Sequence, residues 1–424
     1  MTVTSPAPLR EISLTTNQIQ RPQPVGVFPS PAAFLLLPHT SDPTGIQELL
    51  RGDLSQPLPP QWEFFRTAAL GHAQQAKQLL ADDDAPLALY NVFVLEGGDA
   101  SRYQELQSTL QGQLKAFLTI AAFQFGLIDE LPNANLLDGE LRAALLLARA
   151  SQSLEKQDTN QAILVLEEAF ECAQTISPVF AAQILGQIAA LRSNTPGQNS
   201  ESVAENYRQA IQLAGDTPLA SLRAELWLNL GSFYQEQAGG RRDLLAQSIQ
   251  AYQQAIQCGI SETNHADMYA LAQNNLGLAY LTMPMVEASD SLRQAVAVQS
   301  FREALKIYQP QTHRLEWVST KLNLANALQY LPTSHPEENL LQAVEIYDEL
   351  LQARTRAEDP VGYARLLANQ ANALAHLGLF SQSLEKANEA YKLFQWHNET
   401  DAANSVLELV TMVHESVGNK QVTA

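Results

Sequence analysis

From Trp62 onward, apolar residues recur at spacings of three and four. Trp62, Phe65, Ala69, His72, Ala76 and Leu80 fall on one face of a helix, and Pro86 to Leu95 then Tyr103 to Phe125 continue in the same way. Asp82, Asp83 and Asp84 followed by Pro86 predict a capped helix start with proline in its first turn, and three consecutive acids do not converge on a metal ion without further ligands. Before Trp62 the pattern differs. Of the 21 prolines, 11 lie in the first 60 residues, each fixing φ and removing a donor, so long helices are excluded there. An extended arm is expected. Its runs Val25–Phe28 and Ala33–Leu37 are too apolar for a wholly solvated tail. The arm is then either a partly disordered leader or a segment lying along the folded part, docked in the protein's own groove or a partner's.

The remaining two-thirds of the chain repeats itself. LWLNLGSFY from Leu226, AQNNLGLAY from Ala272, TKLNLANAL from Thr320 and LLANQANAL from Leu366 align, which spaces Asn229, Asn275, Asn323 and Asn369 by 46, 48 and 46 residues. Each segment precedes a second helical stretch, beginning near Ser248, Val298, Ala343 and Ser383, and two earlier units fit the same scheme. Six helix pairs result. A small residue recurs in each first helix, at Ala150, Gly186, Gly231, Gly277, Ala325 and Ala371. A bulkier one recurs in each second helix, at Leu166, Tyr207, Tyr252, Phe301 and Tyr347, with Ala387 departing from the rule in the last unit and Leu350 replacing a small residue in the fifth. Small side chains let backbones approach and bulky ones fill the gap between successive units.

This pattern resembles the tetratricopeptide repeat. The four central units are lengthened between their helices, around Ser193–Gly197, Gln237–Arg242, Thr282–Met285 and Leu331–Pro336, and so are similar to bacterial, especially cyanobacterial, arrays, some of which precede a CHAT protease domain. No such protease segment is expected here, since Asp401 to Glu415 reads as a capping helix. The resemblance implies an all-α fold, a right-handed α-α superhelix or solenoid. The expected organisation is an extended arm over 1–60, a helical N-terminal region over 61–140, about six repeat pairs over 141–399, and a capping helix and tail over 400–424.

The resemblance also implies that first helices line a concave surface, where an asparagine commonly bonds the backbone of an extended peptide. Asn229, Asn275, Asn323 and Asn369 occupy that position, with Asn274, Asn326 and Asn372 nearby; the alternative is that these amides only tie helices together. The family's carboxylate clamp needs lysines and arginine beside the asparagines. Arg365, one turn before Asn369, supplies part of it, but Leu271 and Ser319 stand at the equivalent places and Lys321 is off the helical spacing. A receptor for acidic C-termini is not expected. Trp227, Tyr234, Tyr252, Tyr280, Phe301 and Tyr347 fall mostly on core positions, whereas Trp317 and Trp396 are candidate exposed anchors.

Charge narrows the partner. The 424 residues carry 45 acids and 26 Lys or Arg, a formal charge of −19, which argues against nucleic acid and points to partners of basic or mixed character. The longest apolar runs fall short of a membrane span and no basic leader precedes one, so a cytoplasmic protein without membrane insertion is expected. Cys172 and Cys258 share one slot in two repeats and read as core residues, the eight histidines show no metal spacing, and phosphate-loop and nucleophile motifs are missing. We therefore expect no catalytic residues, metal or cofactor, unless a pocket of titratable groups lies within 61–140. The expected function is a protein-interaction scaffold, adaptor or assembly factor. The alternative is a sensor whose superhelix changes on binding a peptide or small ligand, with an autoinhibitory arm.

Overall fold

The computed structural model describes residues 24–41, 44–133, 137–174, 177–284, 291–333 and 335–422. The first 23 residues of the expected arm, Pro43, and Met285 and Ser334 of the lengthened loops lie outside them. Among the described residues there are nineteen α-helices, two 3-10 turns at Ala32–Phe34 and Pro60–Trp62, and no strand. The chain divides into two compact units, Met1–Leu230 and Gly231–Ala424.

The first unit contains α1 (Ile46–Leu50), α2 (Glu63–Ala69), α3 (Ala73–Gln78), α4 (Pro86–Leu95), α5 (Ala100–Thr109) and α6 (Gly112–Gln124). It continues with the pairs α7 (Gly139–Glu155) and α8 (Thr159–Ala173), then α9 (Pro178–Ser193) and α10 (Ser200–Ala214), and ends within α11 (Ala220–Ala238). The helical periodicity from Trp62 to Leu80 is carried by two helices, α2 and α3. Gly71, at φ +88°, follows the end of α2, and the chain closes there through Gly71 N–H to the Ala68 carbonyl and His72 N–H to the Thr67 carbonyl. Pro86 opens α4 as expected, but the residue before it is Ala85; Asp83 accepts from the Ala85 N–H at 2.8 Å and so makes a turn, not a cap.

The described part of the arm is core. Val25, Val27, Phe28 and Leu35–Leu37 are buried. Backbone without regular structure needs partners when it leaves water, and helices supply them. The Asn91 amide of α4 both accepts from Leu36 N–H (2.9 Å) and donates to Leu36 C=O (3.0 Å). Tyr90 donates to the Phe34 carbonyl at 2.8 Å and Trp62 to that of Pro38 at 3.1 Å. Farther along, Gln183 of α9 donates to Val27 C=O at 3.0 Å, while Ser177, which caps α9, also donates to Leu50 C=O at 3.1 Å. The proline-rich segment is thus threaded through the first unit.

The second unit holds the rest of α11, then α12 (Arg242–Gln257), the pairs α13 (Ala266–Thr282) and α14 (Ser291–Ala304), α15 (Arg314–Gln329) and α16 (Pro336–Ala353), α17 (Pro360–His376) and α18 (Phe380–Trp396), and finally α19 (Thr400–Val422). Gly239 and Gly240, both at positive φ, separate α11 from α12. Pro336 and Pro360 open their helices, the latter capped by Asp359, which accepts from Gly362 N–H at 2.8 Å. The small and bulky repeat positions meet within a unit: a Cβ on Gly231 would lie 2.6 Å from the Tyr252 ring, and one on Gly277 would lie 2.8 Å from that of Phe301. The bulky residue therefore covers the small one of its own pair, in addition to any gap-filling between pairs. Leu350 and Ala387, the size exceptions, are both buried.

Not every close glycine is equally constrained. On Gly186 a Cβ would meet only a terminal methyl of Leu226, whereas the Tyr252 ring is held by hydroxyl bonds to Gln235 (2.7 Å) and Ser232 (3.3 Å). Gly186→Ala is expected to be neutral or stabilising by up to about 1 kcal/mol, because a methyl can swing aside and alanine favours helix. Gly231→Ala should instead destabilise by about 1–2 kcal/mol. Urea denaturation compares them, and equal effects would refute this packing.

One buried carboxyl departs from the pattern of solvated acids. Glu140 lies in the first turn of α7, where the helix dipole favours a carboxylate, yet it is 3% exposed and neither oxygen has a hydrogen-bond partner. Burial pushes its pKa from an ordinary 4.5 to about 8. The folded chain therefore keeps a proton that the unfolded chain releases. The resulting contribution is complete below about pH 4.5 and is lost progressively as pH rises to about 8. Glu140→Gln should be about as stable as wild type near pH 4.5 and about 4 kcal/mol more stable at pH 8. Denaturant titrations at the two pH values test this.

Candidate functional site

The asparagines of the first helices are all half-buried, but they do not share one role. In the second unit several are tied into bonds between helices. Tyr347 of α16 donates to Asn326 Oδ1 at 2.6 Å, and Asn369 Nδ2 reaches the same oxygen from α17 at 3.1 Å. Asn372 donates to Gln329 at 2.9 Å, and Gln329 in turn to Tyr347 Oη at 2.6 Å. Thr320 donates to Asn274 at 3.0 Å, and Asn274 to Asn275 at 3.2 Å. Two sets of amides and hydroxyls thus tie helices together, one joining α13 to α15 and the other joining α15, α16 and α17. Burial, the leading cause, pushes the Tyr347 hydroxyl well above its ordinary range despite the Gln329 bond.

Two members stand apart. Asn229, in the first unit, and Asn323, in the second, make no side-chain hydrogen bond among the described residues. Arg365 is exposed, and its nearest acid is Glu399 at 4.0 Å. Of the two tryptophans expected as exposed anchors, Trp396 is 83% exposed beside Arg356 and Pro360, but Trp317 is buried at 7% under the Lys321 ammonium. Cys258 is buried and Cys172 half-buried, and burial raises the Cys172 thiol.

In the first unit the arm meets α9 and α11 around a cavity of about 410 Å³. Val27, Phe28 and Pro29 form one side of it, Gln183, Gly186, Gln187 and Ala190 another, and Leu222, Glu225, Leu226 and Asn229 a third. Asn229 is the only expected site residue here. Gln183, Gln187 and Glu225 were missed, although one signal was available in the repeat: Glu225 lies one turn before Asn229, in the slot that Leu271, Ser319 and Arg365 occupy before the other three asparagines. All four slot residues are exposed to solvent. Glu225 has no ion-pair partner among the described residues, and partial desolvation in the cavity wall raises its carboxyl above the ordinary range.

Successive helix pairs, with Gly231 and Gly277 each covered by a ring of the paired helix, decide the repeat type. The repeat is tetratricopeptide-like. No family model matches the chain, and no curated protein matches it. Among solved structures, it is similar to a Rap protein complexed with competence and sporulation factor, at 14% identity over 84% of this chain and 97% of that one, with a TM-score of 0.40. It is also similar to the apo form of RapI, at 12% identity over 84% and 97%, TM-score 0.46. A signal transduction ATPase with a tetratricopeptide repeat sensor from Pyrococcus horikoshii is matched at 12% identity over 85% of this chain and 50% of that chain, TM-score 0.44. Among the described residues no group of three or more His, Cys, Asp or Glu is placed to hold a metal ion, and no helix is long and apolar enough to cross a membrane.

The two kinds of asparagine differ in what their loss costs. Asn326→Ala strands the Tyr347 hydroxyl and the Asn369 amide and should destabilise by about 1–3 kcal/mol. Asn323→Ala breaks no bond and should stay within about 0.5 kcal/mol of wild type. Chemical denaturation of the full chain distinguishes them.

Proposed function

We propose that this chain is a non-catalytic protein-interaction scaffold, an adaptor or assembly factor, that holds an extended segment of a partner protein along its first helices. The observation that carries this is internal: Gln183, on a first helix, donates to the Val27 carbonyl of an irregular segment that is not part of any repeat. A first-helix amide thus already holds irregular backbone in this molecule. Asn229 and Asn323 offer the same chemistry with no bond to give up, so they are the members of the expected ladder that we assign to a partner. Asn275, Asn326, Asn369 and Asn372 contribute by fixing the helices that present such groups, and Arg365 remains a candidate contact for the partner.

The sensor reading requires the arm to leave. Burying each of Val25, Val27, Phe28, Leu35, Leu36 and Leu37 is worth about 1.5–3 kcal/mol, so extracting the segment costs on the order of 10 kcal/mol, comparable with the whole stability of a typical domain. Binding energy on that scale is what a micromolar to nanomolar ligand would have to spend on extraction alone. The described part of the arm is better understood as a wall of the site.

An affinity pull-down from the native cell, comparing wild type with the double variant Asn229→Ala, Asn323→Ala, tests the proposal. The partners recovered by wild type should fall to a small fraction with the variant while its melting temperature is unchanged. Equal recovery would overturn it.

A further inference from the structure

We propose, building on the reading that first helices hold a partner segment, that the cavity between the arm, α9 and α11 is a subsite for a lysine or arginine side chain of that segment, with Glu225 as its counter-ion and the Asn229 and Gln187 amides beside it for the segment's backbone. Four observations converge. The cavity, about 410 Å³, has room for one long side chain with adjoining main chain. Its sides are graded: Val27, Phe28, Leu222 and Leu226 present apolar surface to an aliphatic stem, and Glu225 stands where the charged head can reach. Glu225 has no ion-pair partner among the described residues, whereas several acids of the first repeats, Glu167, Glu168, Glu201 and Glu205, are paired with an arginine. Finally, the repeat register marks the position, because the slot one turn before the asparagine is negative at Glu225 and positive at Arg365.

The same slot holds a cation at Arg365 and an anion at Glu225, so the two positions favour ligand groups of opposite charge. Desolvation in the cavity wall leaves Glu225 short of a compensating charge, and a cation arriving from a partner supplies it. The overall charge of −19 adds attraction for the same class of segment but cannot choose a position within it.

The test uses the full chain and fluorescein-labelled octapeptide pools, acetylated and amidated, with seven positions drawn from uncharged residues and the central one fixed as Lys, Arg, citrulline, norleucine or Glu. Anisotropy should show the Lys and Arg pools binding about tenfold more tightly than the citrulline and norleucine pools. Glu225→Gln should erase that difference without lowering the melting temperature, since the side chain has no ion pair to lose. Glu155→Gln, which removes one exposed charge from α7, should leave the difference intact. Pools that bind equally whatever the fixed residue, or a preference that survives Glu225→Gln, would overturn the subsite and leave the scaffold standing. Failure of every pool to bind would overturn both.

Discussion

Irregular backbone can enter a protein interior only if its N–H and C=O groups find partners there, and much of the first unit is built around meeting that requirement. Proline removes donors from the segment before residue 60, and this lowers the number of groups to be satisfied. Several of those that remain are met one at a time. Asn91 serves both polar groups of Leu36, Tyr90 serves Phe34, Trp62 serves Pro38, Gln183 serves Val27, Ser177 serves Leu50 and Thr217 serves Arg51. Every one of these donors sits on a helix, in a 3-10 turn or at a helix-flanking position, so the arm is registered against elements up to 166 residues away in sequence. An unmet group in such a place costs about 1–3 kcal/mol, which gives the arm a single seat. The same seating creates the cavity, whose Val27–Pro29 side is held by the Gln183 bond to Val27 and lies next to Gly26 against the Phe180 ring.

Within the repeats the controlling contact is shorter in range. Glycine at Gly231 and Gly277 lets a ring from the paired helix rest against the first helix backbone. At Tyr252 and Tyr347 that ring carries a hydroxyl, and burying it brings a further demand for partners. Tyr252 finds Gln235 and Ser232, and Tyr347 finds Asn326 and Gln329. The polar residues on the first helices are therefore drawn inward by the aromatic residues of the second helices. Asn326 belongs to packing for this reason, although from the sequence it looks like a ligand contact.

That distinction marks how far the sequence could be read. The helix pairs and their small and bulky positions were legible because each is a property of local spacing repeated six times. The seating of the arm was not, because Leu36 and Asn91 are 55 residues apart and nothing in either neighbourhood announces the bond. The periodicity from Trp62 to Leu80 did not show the division between α2 and α3, because it is blind to Gly71, whose left-handed backbone ends the helix in mid-pattern. The asparagine ladder was legible as a register and illegible as a function: whether an amide is free depends on a tyrosine or glutamine contributed by another helix. Trp317 and Trp396 both lay outside the repeat slots, and only packing separates the one that is buried from the one that faces solvent.

The charge shows the same separation between a bulk property and a site. At physiological salt, exposed charges are screened beyond about 8 Å, so a surplus of acids spread over the surface raises the encounter rate with basic partners without fixing where they bind. Selection needs a carboxylate whose surroundings make its charge costly until a cation arrives. Most acids near the arginines of the first repeats have already spent that capacity on ion pairs such as Glu167 with Arg192. Glu225 has not, and it stands in a wall where water is partly displaced and an apolar stem has somewhere to lie. On the proposed reading the surplus of acids brings a basic segment to the molecule, and Glu225, with no ion pair among the described residues, gives that segment a register.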